Sequence, residues 1–161
     1  MEFLLLGVFT GLSLILALGA QNIFVIEQGL KREYIFIVCL ICSFSDLILI
    51  FLGIFLFQYF NEFFSKETEL IFNILLFIFL IYFISTKIRA NFSTVSFKIK
   101  TEKKKLKNII FKTLAFTYLN PHVYSDTVFF LGNLSKNFEI INKYYFGIGA
   151  SISSFMFFFT L

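Results

Sequence analysis

Two aspartates lie inside stretches that are otherwise apolar enough to cross a lipid bilayer. They are Asp46 and Asp126, the only aspartates among the 161 residues, while every glutamate lies near the end of an apolar stretch or between stretches. A carboxylate at membrane depth costs about 2.5–3.5 kcal/mol on the translocon scale, so it persists where it faces a partner, a cavity or a substrate path. This pattern predicts a role in transport or in a relay.

Asp46 lies at the centre of its apolar stretch, on one helical face that carries small and polar residues. That face consists of Cys39, Cys42 or Ser43, Asp46, Ile50 and Gly53. A carboxylate placed there can bind a guanidinium or an ammonium group, or exchange a proton with it. A hydrogen bond or a fixed salt bridge is the structural alternative. The absence of Lys or Arg from the middle of the other stretches favours a mobile cation as the partner.

A second polar cluster surrounds Asp126. It comprises Asn120, His122, Tyr124, Ser125 and Asp126. His122 and Asp126 are four residues apart, a spacing that allows a hydrogen bond between them on a helix. As the only histidine, His122 is a candidate proton-linked switch, and the alternative is an ordinary hydrogen-bonded polar residue.

The remaining sequence predicts the helices that position these groups. The chain is 58% hydrophobic with a mean hydropathy of +0.86, and a helix needs about 20 apolar residues to cross the hydrocarbon core. We therefore predict an all-α integral membrane protein with a single domain over residues 1–161. Five spans are predicted, at Phe3–Ile26, Tyr34–Phe57, Leu70–Ile84, Ile109–Leu131 and Tyr144–Leu161. Because the last stretch has no polar flank, we expect the complete fold to include one further helix.

Basic residues concentrate in two of the predicted loops. Lys31 and Arg32 lie in loop 27–33, and the loop over 87–108 carries Lys87, Arg89, Lys98, Lys100, Lys103, Lys104, Lys105 and Lys107. The positive-inside rule places both loops in the cytoplasm and the N-terminus outside. The net charge of +4 is explained by these loops, so no nucleic-acid partner is predicted, and the lipid bilayer is the surrounding medium.

Two interruptions in the apolar pattern indicate broken helices. The runs Leu18-Gly19-Ala20-Gln21-Asn22 and Leu119-Asn120-Pro121-His122 can be aligned 101 positions apart. Paired Gly- or Pro-interrupted segments point to the binding site of an inverted-repeat transporter. The alignment predicts a first repeat over residues 1–90 and a partial second repeat over 109–161. Ordinary kinks are the alternative, because Gly and Pro are common in membrane helices.

Small residues at helical spacing predict close contacts between helices. The first stretch carries Gly7, Gly11, Ser13, Ala17 and Gln21, and the last stretch carries Gly147, Ala150, Ser151 and Ser154. We interpret both sets as packing surfaces.

Cys39 and Cys42 form a C-x-x-C sequence. Redox pairs of this kind lie at helix N-termini, where the thiol is activated, whereas this pair lies a full turn inside an apolar helix. A zinc site needs four ligands, and the chain has no second Cys or His pair. Two buried apolar cysteines are the favoured interpretation. No motif of a soluble enzyme is present, so neither catalysis nor a cofactor is predicted.

Three ordered motifs resemble the LysE/ArgO family of amino-acid exporters, and the arginine and lysine branch in particular. They are Leu18–Val25 with Gln28, Gly29 and Arg32, then Ser45-Asp46-Leu47, then Leu119–Tyr124 with Asp126 and Thr127. The resemblance covers most of residues 7–160. It implies six helices in two inverted three-helix repeats. It also implies a transport path surrounded by Gln21, Asn22, Asp46, Asn120, Pro121, His122 and Asp126.

The function expected from this resemblance is export of arginine or lysine across the bacterial inner membrane, with a small-molecule amino-acid substrate and the lipid bilayer as partners. Three alternatives stay open. They are export of a neutral amino acid such as threonine or homoserine, a truncated chain that does not transport, and a thiol relay through Cys39 and Cys42. Ala20 departs from the proline common in the family, and the sequence leaves homo-oligomer formation open.

Overall fold

A computed structural model describes residues 1–16, 19–63 and 106–161, together with the single positions 74, 78, 81 and 85. Throughout this part of the chain the regular structure is helical, as predicted. The elements are α1 (Glu2–Ile15), α2 (Ala20–Lys31), α3 (Ile35–Phe63), α4 (Leu106–Tyr118), α5 (Pro121–Val123), a π-helix (Tyr124–Phe130), α6 (Leu131–Ser135) and α7 (Ile140–Thr160). Because α5, the π-helix and α6 follow one another without a gap, we call residues 121–135 the composite helix.

One helix of the described part is by itself long and apolar enough to cross a membrane. This segment, Ile35–Tyr59 of α3, spans 25 residues and matches the predicted span Tyr34–Phe57. Helices α1 and α2 meet the same criterion only as a pair, and they are bent by 78° relative to each other. The predicted interruption late in the span Phe3–Ile26 is therefore confirmed, since α1 ends at Ile15 and α2 begins at Ala20, directly after Gly19.

The predicted interruption in the middle of the span Ile109–Leu131 is confirmed in the same way. Helix α4 ends at Tyr118, and the composite helix begins at Pro121, where a proline is favoured because its missing N–H would lack a partner in any case. The two breaks thus occur where the sequence places its turn-forming residues. Helices α2 and α5 begin 101 residues apart, in the register of the sequence alignment.

The final predicted span corresponds to α7, which has 21 residues. The predicted span Leu70–Ile84 lies outside the described residues except for positions 74, 78 and 81, which are helical. The basic loop 87–108 also lies outside them, apart from residues 106–108 at the start of α4.

Helices α1 and α7 approach so closely that only glycine fits at their crossing. A Cβ atom added to Gly7 would lie 2.1 Å from the carbonyl oxygen of Phe146, and one added to Gly149 would lie 2.1 Å from that of Leu4. Small residues permit such backbone contact where no hydrophobic effect drives helices together. The prediction that Gly7 and Gly11 form a packing surface is confirmed, whereas Ser13 of the same set is exposed.

Two apolar clusters hold the helices together, with a polar layer between them. The first cluster joins α2, α3, α4 and α7 through Phe24, Val25, Val38, Cys39, Cys42, Ile109 and Phe158. The second joins α3, α6 and α7 through Ile50, Ile54, Leu131, Phe146 and Ala150. Asp46 on α3 and Ser154 on α7 lie between the two clusters, so the fold holds the carboxylate in a layer closed by apolar packing on both sides.

Candidate functional site

The two helix breaks lie side by side. A Cβ atom added to Gly19, the N-cap residue of α2, would lie 3.2 Å from Cδ2 of His122 and 3.7 Å from Nδ2 of Asn120. A side chain at position 19 would therefore crowd the residues at the start of the composite helix. The structure brings together two segments that are about a hundred residues apart in the sequence.

Side chains of the breaks satisfy part of the interrupted backbone. The Asn22 amide Nδ2 donates to the carbonyl oxygen of Ile15 at 2.9 Å, across the gap between α1 and α2. The backbone N–H of His122 donates to Oδ1 of Asn120 at 3.2 Å, which caps the start of the composite helix. Non-helical backbone is tolerated at membrane depth where it is enclosed in protein or lines a cavity, and these hydrogen bonds help to meet that condition.

Asp46 is buried, with only 3% of its surface exposed. The hydroxyl of Ser154 donates to its Oδ2 at 2.8 Å, and Gln21 lies beside it. Its other oxygen, Oδ1, has no hydrogen-bond partner, and within the described ranges no lysine or arginine forms a salt bridge with it. One carboxylate oxygen is thus held by a neutral hydroxyl, and the other is available to a ligand.

Asp126 is held by its own helix. His122 Nδ1 lies 3.2 Å from Asp126 Oδ2, which confirms that the two side chains interact, and Ser125 donates to Asp126 Oδ1 at 2.9 Å. The π-helix that contains Asp126 has wider turns than an α-helix, a distortion that is frequent at functional sites. Both His122 and Asp126 are about a quarter exposed, so Asp126 is more accessible than Asp46.

A cavity of about 50 Å³ connects these groups. Six of the predicted site residues line it, and the seventh, Pro121, begins the composite helix. Asp46 and Asp126 are close enough for their charges to interact. The predicted residues that line the cavity are Gln21, Asn22, Asp46, Asn120, His122 and Asp126.

Sequence reasoning gave no site role to Ser154, which contacts Asp46, or to Gln28, a buried amide further along α2. Ser154 was interpreted as a packing residue, but it donates to Asp46 from 108 positions away, and no local pattern indicates a contact at that separation. Gln28 is 1% exposed, and neither atom of its amide group has a hydrogen-bond partner. An uncharged amide in an apolar stretch was the available signal for Gln28.

The two cysteines are buried and free, as predicted. The thiol of Cys39 donates to the carbonyl oxygen of Phe158 at 3.0 Å, and both residues belong to the first apolar cluster. This environment is one of packing, consistent with the favoured interpretation of the pair.

Comparison with known proteins agrees with this architecture. The model of the family described as LysE type translocator matches residues 12–161. The arginine exporter protein ArgO of Pectobacterium atrosepticum is 35% identical over 96% of this chain and 76% of its own length. The ArgO protein of Escherichia coli K12 is 33% identical over 96% of this chain and 74% of its own length. No solved structure matches the chain.

These matches span nearly the whole chain, including both helix breaks and Asp46. The proteins concerned are translocators and exporters, which agrees with a buried carboxylate facing a cavity and with the lack of an enzyme motif in the sequence. The chain belongs to the LysE type translocator family and is a transporter, not an enzyme.

Proposed function

We propose that this protein exports arginine across the bacterial cytoplasmic membrane. The observation that carries the proposal is the buried Asp46, whose Oδ1 has no partner and which lines a cavity between two broken helices. Its relatives are named as arginine exporters. A substrate cation is the ligand that such a carboxylate favours, because burial strengthens ion pairing and an unpaired buried charge is costly.

The side chain of arginine suits this site for a geometric reason. A guanidinium group has five N–H donors in a planar fork and pairs with a carboxylate through charge-assisted hydrogen bonds. Asp46 offers one free oxygen, and Asp126, partly exposed, lies near enough to add its charge. We assign Gln21, Asn22, Asn120, Pro121 and His122 to the walls of the same path.

Export of a cation needs an energy source. A cytoplasm that is negative by 100 mV opposes the exit of one positive charge by about 2.3 kcal/mol. Inward movement of a proton through Asp46, Asp126 or His122 would offset this cost. If Asp46→Asn and Asp126→Asn each leave efflux unchanged, this coupling is wrong.

The same proposal includes a topology. The predicted loop 27–33 is helical as far as Lys31, the end of α2, and we place this helix end and the basic segment that precedes α4 on the cytoplasmic side of a multi-pass protein built from two inverted three-helix repeats. The repeat is supported by α2 and α5, which begin 101 residues apart and meet at the cavity. Orientation is supported by the basic residues of the two loops, since the positive-inside rule depends on Lys and Arg in short loops.

Efflux of labelled arginine from preloaded cells tests the function. We expect this chain to accelerate efflux over cells without it, and Asp46→Asn to abolish the increase at equal protein level. Glu139→Gln is the matched control, because it removes the same charge from an exposed carboxylate whose side chain makes no capping bond. Inhibition by unlabelled threonine or homoserine but not by arginine would indicate a neutral cargo, and absence of efflux with the protein in the membrane would refute export by this chain.

A further inference from the structure

We propose that the α-carboxylate of the substrate binds between the N-terminus of α2 and the side-chain amide of Asn120. The inference rests on the proposed function in one respect, that the cargo is an amino acid. The two aspartates of the cavity can bind only the cationic groups of such a substrate. The proposed site binds its negatively charged carboxylate, and we call it the anion-binding pole of the cavity.

The backbone supplies the first part of this pole. The first N–H groups of a helix have no acceptor within it, and in the 12-residue α2 the N–H of Ile23 donates to the carbonyl oxygen of the N-cap residue Gly19 at 3.1 Å. Gly19, the N-cap residue, has no side chain that could accept from the backbone N–H groups of Ala20 and Gln21. A helix N-terminus of this kind attracts anions through its N–H groups and its dipole.

Asn120 provides independent evidence for a ligand at this position. The residue is 8% exposed, and its Oδ1 accepts the N–H of His122, so the orientation of the amide is set by the cap. The remaining group, Nδ2, has no hydrogen-bond partner and lies 3.7 Å from the Cβ position of Gly19. An unpaired buried donor is costly, and here it is directed towards the start of α2.

Gln21 adds a second donor to the same wall. It is 4% exposed, lines the cavity, and its Nε2 has no hydrogen-bond partner. Backbone N–H groups and amide NH₂ groups all donate. The chemistry of this pole therefore selects an acceptor-rich ligand such as a carboxylate.

The two aspartates explain why this ligand is a zwitterion and not a free anion. Asp46 and Asp126 line the same cavity and would repel an isolated anion. An amino acid can satisfy both poles at once, with its carboxylate at α2 and Asn120 and its positive groups at the aspartates. Recognition of the carboxylate would also exclude amines that share the same cationic side chain.

Argininamide tests this assignment, because it keeps the guanidinium and α-amino groups of arginine and has a neutral carboxamide in place of the carboxylate. The purified chain in proteoliposomes is assayed for transport of labelled arginine, with unlabelled arginine or argininamide as competitor. We expect arginine to compete at least tenfold better than argininamide. Asn120→Ser, which retains a capping oxygen but loses the amide donor, should weaken competition by arginine about tenfold and that by argininamide less than threefold.

Two further variants keep the test specific. Ser154→Ala acts on Asp46 at the opposite pole, so it should weaken both competitors alike and preserve their ratio. Asn120→Asp keeps the capping oxygen at the same volume but replaces the amide donor with an acceptor, and it serves if Asn120→Ser does not fold. Equal competition by the two ligands in the wild type, or an equal loss of both in the Asn120 variants, would overturn the proposal.

Failure of the proposed function gives a different result. If arginine neither moves nor competes, arginine export is wrong, and the comparison is repeated with threonine and threoninamide. Discrimination between that pair, lost in Asn120→Ser, would support the carboxylate site with another cargo. Equal recognition of that pair would overturn it.

Discussion

The crossing of α1 and α7 and the polar layer around Asp46 share α7 but are built on opposite principles. At the crossing, backbones touch through glycines, and the hydroxyls of Ser151 and Ser153 donate to carbonyl oxygens of their own helix, at 2.8 and 2.6 Å. In the polar layer, Ser154 donates across to α3, and several buried polar atoms have no partner. In one region the buried hydroxyls are satisfied within their own helix, and in the other buried polar groups are left for the proposed substrate to bind.

Neighbouring serines show how small the sequence difference is. Ser153 and Ser154 are both fully buried, yet a rotation of about 100° along the helix directs one to the crossing and the other to Asp46. Residue type alone therefore does not distinguish the residues that pack the helices together from those that form the site. The hydrogen-bond partner of each hydroxyl makes that distinction.

The largest effect is expected from filling the crossing. Gly7→Ala would place a methyl group against the carbonyl oxygen of Phe146, a backbone atom that cannot turn aside. We expect a loss of about 3 kcal/mol of stability, the upper end of the range for overpacking, measured by denaturation of the purified protein in detergent. Gly29→Ala is the control, because nothing lies within 4 Å of its added Cβ. Equal stability of the two variants would contradict the close contact between α1 and α7.

The next effect separates the two serines. Ser154→Ala removes the donor to Asp46, and since hydrogen bonds to charged groups contribute about 1.5–3 kcal/mol, we expect arginine efflux to fall roughly tenfold. Ser153→Ala, which loses only a bond within its own helix, should retain efflux within about twofold. Efflux rates at matched protein level provide the measurement. A similar loss in both variants would assign Ser154 to packing, as its sequence spacing first indicated.

Residues that are unusual in an apolar helix could be recognised from the sequence alone. Gly19, Asn120 and Pro121 interrupt apolar patterns, and both helices do break there. Asp46 is out of place in its stretch, and it lines the cavity. Such residues can be found without a structure because the cost of placing them in lipid has to be offset by function.

What could not be predicted depends on the third dimension. The contact between Asp46 and Ser154 joins α3 to α7, and helical periodicity gives the face of each helix but not which faces meet. The bend of 78° between α1 and α2 is of the same kind. The interruption at Gly19 indicates that the helix breaks, but not the angle at which its two parts meet.

Removing the charge of Asp46 should reveal how much the buried carboxylate lowers the stability of the protein without substrate. Asp46→Asn keeps an oxygen that can accept from Ser154 but removes a buried charge that has no cationic partner among the described residues. We expect it to stabilise the empty protein by about 1 kcal/mol while abolishing efflux, in the same denaturation assay. A loss of stability would show instead that Asp46 takes part in a fixed ion pair and belongs to the framework.

The smallest effect on efflux is expected at the cysteines, and it tests whether they belong to the framework or to a relay. Both Cys39 and Cys42 lie in the first apolar cluster, one turn or more from the carboxylate, and the thiol of Cys39 is engaged by a backbone carbonyl. The double variant Cys39→Ala/Cys42→Ala removes little volume, so we expect arginine efflux within about twofold of wild type and a stability loss of about 1–2 kcal/mol. Efflux of the same double variant is measured under reducing and oxidising conditions. Loss of efflux in the variant at unchanged protein level, or a redox dependence of the wild type that the variant lacks, would move the pair from packing to function. Such a result would also mean that the functional site extends along α3 from Asp46 to the two cysteines of the first apolar cluster.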